Sequence, residues 1–417
     1  MNNFYSRPEY YFERWLTPAL RQAIRQHPVV VLTGARQVGK STLLLNAAPF
    51  RDWRYHSLDD LDTLRQARAA PEALWAGADQ VVLDEVQRAP ELLSAVKLAV
   101  DRQPRARRFV LSGSANLLLM SQVSETLAGR AVYFMLDPMA LGEINRRPPS
   151  TLLSDALAGR WPDAGARGVV PPDPARLMLR GLLPALLPLE APPAWVQWWD
   201  GYVATYLERD LRQVAQVEAL PDFRRLMQLA ALRSGQLLNQ SETGRDAQLS
   251  QPTAHRYLNL LETTHLFARL PPYVANRTSR LVKSPKAFWA DPGLAVFLAG
   301  YFTEADLRAA HEFGAFFETL IYLHLRTLAG LMTPPAQLFF WRTRAGAEVD
   351  FVVAHGRRLI ALEVKLAERP GYGDTAGLQA FLAEHPTAAG GLLLHAGREV
   401  RRLGDRIVAV PWTMLTG

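Results

Sequence analysis

At 417 residues the chain is too long for one ordinary hydrophobic core and is expected to divide into roughly two to four domains. Its 49% hydrophobic and 21% charged residues describe a globular chain, and every apolar run is broken by Arg, Glu or Pro before reaching membrane-spanning length, Leu177 to Trp195 with Arg180 and Glu190 included. The absence of cysteine excludes disulfides and thiolate metal sites, so any metal must rest on oxygen or imidazole ligands, which points to Mg²⁺.

A net charge of +7 and a pI near 9.7 favour a polyanionic partner, although a solvated basic surface accounts for the same figures. The positive charge is almost all arginine, with lysine only at Lys40, Lys97, Lys283, Lys286 and Lys365. The opening text MNNFYSRPEYYFERWL lacks the basic-then-apolar layout of a secretion signal, so a cytoplasmic location and no membrane partner are expected.

PVVVLT, Pro28 to Thr33, is a short β-branched run that predicts a strand buried on both faces. A glycine loop follows, and then helix-forming Lys40 to Ala47, so GARQVGKST has the strand-loop-helix context of a P-loop. In that reading Gly34, Ala35, Arg36, Gln37, Val38, Gly39, Lys40, Ser41 and Thr42 wrap the phosphates of ATP. The glycines let the backbone amides turn inward, Lys40 neutralises the β- and γ-oxygens, and Ser41 ligates Mg²⁺. VVLDEV, Val81 to Val86, is a second apolar strand ending in two acids: Asp84 to hold Mg²⁺ through water, Glu85 to act as general base on the attacking water. A third strand, Arg108 to Leu111, ends in SGSAN, where Ser112, Ser114 or Asn116 is placed to meet the γ-phosphate; Ser114 is the choice.

The strings FERWLTPAL, TGARQVGKST, LDEVQRAPELL, LSGSANLLL, LAGR and LDPMALGE together resemble bacterial and archaeal AAA+ ATPases that carry a C-terminal domain of uncharacterised function. The resemblance implies an α/β fold with a AAA+ P-loop NTPase core, a parallel sheet flanked by helices, over residues 1–147. It also implies that Arg130 in LAGR is an arginine finger for a neighbouring subunit, and hence a homo-oligomer, plausibly a ring. The competing reading of Arg130 is an ordinary surface arginine.

The proline- and glycine-rich stretch from Arg147 to Pro192 reads as a linker. Beyond it Trp195 to Leu238 is helical in pattern, with Tyr206, Leu207, Leu211 and Val214 as its apolar marks, and suits a helical lid ending a 148–238 segment. LSQPTAHRYLNLLETTHLFARL predicts a helix from Ser250 with Ala254, Tyr257, Leu258 and Leu261 inward and Gln251, His255, Arg256 and Asn259 outward. Preceded by NQSETGRDAQ, it reads as a helix-turn-helix, and the following segment as a basic wing carrying Arg277, Arg280, Lys283 and Lys286, so residues 239–299 form a DNA-binding winged helix. Such units also serve purely for packing.

From residue 300 to 417 a third domain is expected. It comprises an amphipathic helix with Glu318, then the strands LFFWRT, AEVDFVVA and LIALEVKL. Glu363 and Lys365 share a strand face, with Val364 turned into the core, and a hairpin would bring Asp350 beside them as a second Mg²⁺ carboxylate. The pattern resembles PD-(D/E)xK restriction-endonuclease-like domains, with Glu318 as the helical acid. Ion pairing on a sheet face is the competing reading.

The domain order is similar to that of Holliday-junction motors and origin-recognition ATPases. The expected function is an oligomeric Mg²⁺-ATP-hydrolysing ATPase acting on duplex or branched DNA, by branch migration or helicase action. An ATP-gated DNA nuclease and an ATP-dependent signalling switch are the alternatives.

Overall fold

The computed structural model describes residues 11–103, 106–113, 126–205, 219–274 and 284–417. The chain forms two compact units, one of Met1–Met139 with Leu183–Ala185 and Thr263–Leu266, the other of Ala140–Leu182, Leu186–Glu262 and Phe267–Gly417.

The first unit is built on β1 (Val29–Thr33), β2 (Arg54–Ser57), β3 (Gln80–Asp84), β4 (Arg108–Ser112) and β5 (Ala131–Met135) in the order β2-β3-β4-β1-β5, every pair parallel. All five residues of β1 are buried, as a β-branched strand central to a parallel sheet must be. Helices α1 (Thr17–Gln26), α2 (Lys40–Asn46), α3 (Leu61–Ala69) and α4 (Leu92–Arg102) accompany it. On α4, Leu92, Leu93, Val96, Ala99 and Val100 are buried, joining a core with Val29, Val31, Leu83, Leu111 and Trp75. Because the strands are parallel, Thr33, Asp84 and Ser112 all end at one edge, with Leu32 beside Ser112 and Leu83 beside Leu111. That edge is where open parallel sheets hold ligands.

In the second unit the proline-rich stretch is ordered. Gly165 N donates to Val400 O, Val400 N to Ala166 O and Gly168 N to Arg398 O, so the segment runs along the C-terminal domain as an added edge. It carries the short helices Leu152–Leu157 and α5 (Pro174–Arg180), followed by α6 (Pro192–Tyr202) and α7 (Leu220–Leu232); Tyr206, Leu207, Leu211 and Val214 lie outside the described residues. Next come α8 (Gln240–Asp246), a turn, and α9 (Gln251–Thr263), which starts on the expected Ser250 cap, Thr253 N donating to Ser250 Oγ at 3.3 Å. Ala254, Tyr257, Leu258 and Leu261 are buried as expected. An antiparallel ribbon of β6 (Phe267–Leu270) and β7 (Lys286–Trp289) pairs Phe267 with Trp289 and Leu270 with Lys286, and α10 (Pro292–Leu298) follows.

The start of α10 explains the text ADPGLA. Asp291 Oδ1 accepts from Gly293 N at 2.7 Å and Oδ2 from Leu182 N at 2.9 Å, while burial pushes the carboxyl up to about 6 against those two bonds. A Cβ on Gly293 would lie 2.5 Å from Gly181 Cα, so two backbones touch there.

The C-terminal domain packs α11 (Phe313–Leu331) and α12 (Ala376–Glu384) with the sheet β12-β13-β11-β10-β9-β8, made of β8 (Gln337–Arg342), β9 (Glu348–His355), β10 (Arg358–Lys365), β11 (Gly390–His395), β12 (Arg401–Arg402) and β13 (Ile407–Pro411). β9 and β10 form the expected hairpin, with His355 opposite Arg358 and Phe351 opposite Leu362. No helix among the described residues is long and apolar enough to cross a membrane.

Gly293→Ala should lower the denaturation midpoint by an amount worth about 1–3 kcal/mol through backbone overpacking. Gly330→Ala, inside α11 with nothing within 4 Å of its added Cβ, should be neutral or raise stability by up to about 1 kcal/mol. Denaturant titration of both variants checks the contrast.

Candidate nucleotide site and a buried carboxylate cluster

The loop after β1 curls because two of its residues are left-handed, Gln37 at φ 66° and Gly39 at φ 94°. Gly34 is required by space, since a Cβ there would fall 2.3 Å from Leu136 O. Arg14, 4% exposed, pins the loop from below: one Nη donates to Val38 O and the other to Asp137 O, each at 2.8 Å. The sequence marks Arg14 only as part of FERWL; the structure gives it a task.

Lys40 is 6% exposed, and its ammonium donates to Gly34 O at 3.0 Å and Ala35 O at 2.9 Å. Burial lowers its pKa, with Glu85 and Asp84 opposing. A buried cation hydrogen-bonded, among the described residues, only to backbone carbonyls is a site that gains from an anion, and the phosphates of ATP fit it. With Lys40, Ser41 and Asp84 the residues present suit Mg²⁺-ATP, Mg²⁺ supplying charge neutralisation when bound.

Asp84, 1% exposed, has both oxygens fixed: Tyr55 Oη donates to Oδ2 at 2.6 Å and Glu85 N to Oδ1 at 3.0 Å. Tyr55 stands on β2 with its pKa raised by burial and by the Asp84 charge, and nothing in the text RYHS announces it. Glu85 is left-handed, φ 57°, a conformation an ordinary residue adopts at a cost of order 1–3 kcal/mol. Its carboxyl, raised by burial and then by Asp84, accepts a hydrogen bond from Gln87 Nε2, which aims it. Ser112 is fully buried and its hydroxyl has no partner among the described residues; Ser114 and Asn116 lie outside them. His265, at φ 58°, brings Nε2 to 3.3 Å from Thr33 Oγ1.

Arg130 precedes β5, at the sheet edge away from the P-loop, and holds Asp101 in a fork at 2.6 and 3.0 Å. On α9, His255 and Arg256 are exposed; the imidazole bridges Gln240 and Asn259, and the guanidinium lies 5.3 Å from the centroid of the Tyr257 ring. Arg277, Arg280 and Lys283 lie outside the described residues.

Lys286 corrects the expectation of a phosphate-contacting wing residue. It is 3% exposed, and its Nζ lies 2.6 Å from Glu348 Oε1, 3.1 Å from Glu318 Oε1 and 3.4 Å from Asp350 Oδ1. Burial works against this ammonium, but the charges of Glu318, Asp350 and Glu348 outweigh it and hold the pKa above its usual range. Glu318 of α11 therefore does join Asp350, its own carboxyl pushed well up by burial and by the Asp350 charge. Asp350 Oδ2 accepts from Val364 N at 2.9 Å, which ties the hairpin across. Glu363 pairs with Lys365 at 2.8 Å on the shared face, and burial and then Asp350 push it up to about 7. Val364 is only half-buried, while Glu363, 8% exposed, is the residue sunk in the fold, because this end of β10 faces the carboxylate cluster and not the apolar layer. Glu348 was readable beforehand: Glu348-Val-Asp350 alternates as Glu363-Val-Lys365 does. The expected Mg²⁺ set of Asp350 and Glu363 does not fit the metal, since the cation between these strands and α11 is Lys286, and no metal-holding group of acids or histidines occurs among the described residues.

A family model described as an AAA domain matches residues 26–145, the stretch that builds the P-loop unit, and the chain carries a P-loop ATPase core of the AAA kind. The chain belongs to the family of an uncharacterized protein of Mycobacterium tuberculosis and its counterpart in Mycobacterium bovis, being 30% identical to each over 395 residues, 94% of this chain and 82% of theirs. Two domains of unknown function, DUF8612 and DUF4143, match residues 172–305 and 313–415. Among solved structures, a RuvB variant of Thermotoga maritima (18% identity, TM-score 0.29, covering 61% of this chain and 87% of that one) and protein VC1899 of Vibrio cholerae (12%, 0.18, 93% and 95%) are similar at a level that carries no weight for function.

If Tyr55 orients Asp84 for the metal, Tyr55→Phe should raise the Mg²⁺ concentration needed for half-maximal ATP hydrolysis about tenfold, the usual effect of losing an outer hydrogen bond to a metal ligand. A Mg²⁺ titration at fixed ATP reads this directly; an unchanged midpoint removes Tyr55 from the site.

Proposed function

We propose that this chain is a Mg²⁺-ATP-hydrolysing oligomer that acts on DNA. The observation that carries the ATPase part of the reading is the juxtaposition, at one sheet edge, of Lys40, a buried lysine with no carboxylate hydrogen-bonded to it among the described residues, and Asp84, whose two oxygens are held by Tyr55 and the Glu85 amide. Lys40 would neutralise the transferring phosphoryl group, Ser41 and Asp84 would hold Mg²⁺, and Glu85 would polarise the attacking water.

Assembly is supported by Arg130. It stands before β5 whereas the P-loop follows β1, so the length of a five-residue strand, about 16 Å, separates it from its own nucleotide. An arginine finger at that place would serve a neighbouring copy. Action on DNA is supported by α8, the turn and α9, whose outward face offers Gln251, His255, Arg256 and Asn259, together with the net charge of +7. Branch migration is the particular form of this reading that a four-way junction tests. The signalling switch remains as the reading for a slow ATPase indifferent to DNA. The ATP-gated nuclease loses support from Lys286, which takes the place of the metal it requires.

Steady-state ATP hydrolysis at low salt, with no DNA, duplex, single strand or a four-way junction, tests the proposal. Wild type should be stimulated severalfold by one DNA form, and Lys40→Ala should lose at least about a hundredfold in rate, as expected for removing a charge stabiliser worth about 2.7 kcal/mol or more. Preference for the junction would identify a branch-migration motor. Hydrolysis unchanged by every DNA would end the DNA reading while leaving the ATPase.

A further inference from the structure

The C-terminal domain encloses a cation among carboxylates. Lys286 arrives on β7, from outside that domain's own sheet, and meets carboxylates from α11 and from two same-face positions of β9, Glu348 and Asp350. Its Nζ also lies 5.8 Å from the centroid of the Phe340 ring, which closes the apolar side of the cluster. The ammonium is a donor only, and its positive charge against these carboxylates opposes a divalent ion that would share them.

A second observation comes from Glu363 on the adjoining strand β10, whose carboxyl is raised by burial and then by the Asp350 charge beside it. Glu363, 8% exposed, has one oxygen on Lys365 and the other, Oε2, buried with no hydrogen-bond partner among the described residues. A buried carboxylate oxygen without a donor is costly unless a cation is near.

We propose that Lys286 is a resident counter-ion that replaces divalent metal in the cluster of Glu318, Glu348, Asp350 and Glu363, so that this domain neither binds Mg²⁺ nor cuts DNA, and that the lysine instead ties β7 to the C-terminal sheet. The carboxylates form a metal site once the lysine is removed. This inference stands apart from the nucleotide site, which lies in the other compact unit.

The test uses the full chain without nucleotide, so that no phosphate brings metal to the P-loop, and Mn²⁺ as the probe, counted by the loss of its free electron-spin-resonance signal. Wild type should bind no Mn²⁺ that depends on Asp350. Lys286→Met should gain one Mn²⁺ per chain at least tenfold tighter than anything on wild type, and Lys286→Met with Asp350→Asn should lose it. Lys286→Met with Glu318→Gln, which removes one negative charge with the positive one, provides a folded form if the single variant does not fold, and should also bind. Mn²⁺ binding by wild type that Asp350→Asn abolishes would overturn the proposal, as would a folded variant without Lys286 that binds none.

Discussion

A lysine ammonium taken out of water must be met by acceptors or opposite charge on every side, and the two chemically distinctive places in this chain are two answers to that constraint. Lys40 is held by two backbone carbonyls of its own loop, a weak embrace that leaves its charge to be completed by phosphate. Lys286 is held by three carboxylates and is complete already. Both are buried to a similar degree, so burial alone does not distinguish an active cation from a structural one. The partner list does.

The same constraint shapes the backbone around each site. At the P-loop the cost of curling three peptides toward one point falls on Gly34, Gln37 and Gly39, and Arg14 offsets part of it by binding Val38 O and Asp137 O. Hydrogen bonds from a charged donor contribute about 1.5–3 kcal/mol each, enough to hold a loop that a neutral side chain would leave loose. At the carboxylate cluster the geometry comes from strand alternation: Glu348 and Asp350 share one face of β9, and the Asp350 bond to Val364 N fixes the hairpin register. A one-residue slip would turn both acids away from Lys286, so this ion cluster also specifies the sheet.

The P-loop unit was legible because its chemistry is local. GARQVGKST, the preceding apolar strand and the acids of VVLDEV carry their meaning in a few consecutive residues, and the strands fall within a residue or two of where the text puts them. The strands of the β9–β10 hairpin were legible from their alternation, whereas the reach of Glu318 to Asp350 was not, because it depends on how α11 packs against the sheet. Tyr55 and Arg14 were not legible, because each acts on a partner distant in sequence, Asp84 in one case and Val38 in the other. Lys286 was misread for a related reason. In the text it sits in a basic stretch after a helix-turn-helix, and charge patterning assigns such a lysine to the surface. Only the pairing of Leu270 with Lys286, and the approach of β9, show that its strand is enclosed.

Arg130 and Asp101 illustrate how little a surface ion pair commits either side chain. Each group holds the other's charged form, lowering the Asp101 pKa and raising that of Arg130, yet both remain open to solvent, where such pairs contribute little to stability. A phosphate offers more negative charge than one carboxylate, and two of its tetrahedral oxygens can accept a guanidinium fork. Exchange of Asp101 for another anion would therefore cost little. A buried fork would block that exchange; this one, part-exposed, leaves the guanidinium accessible.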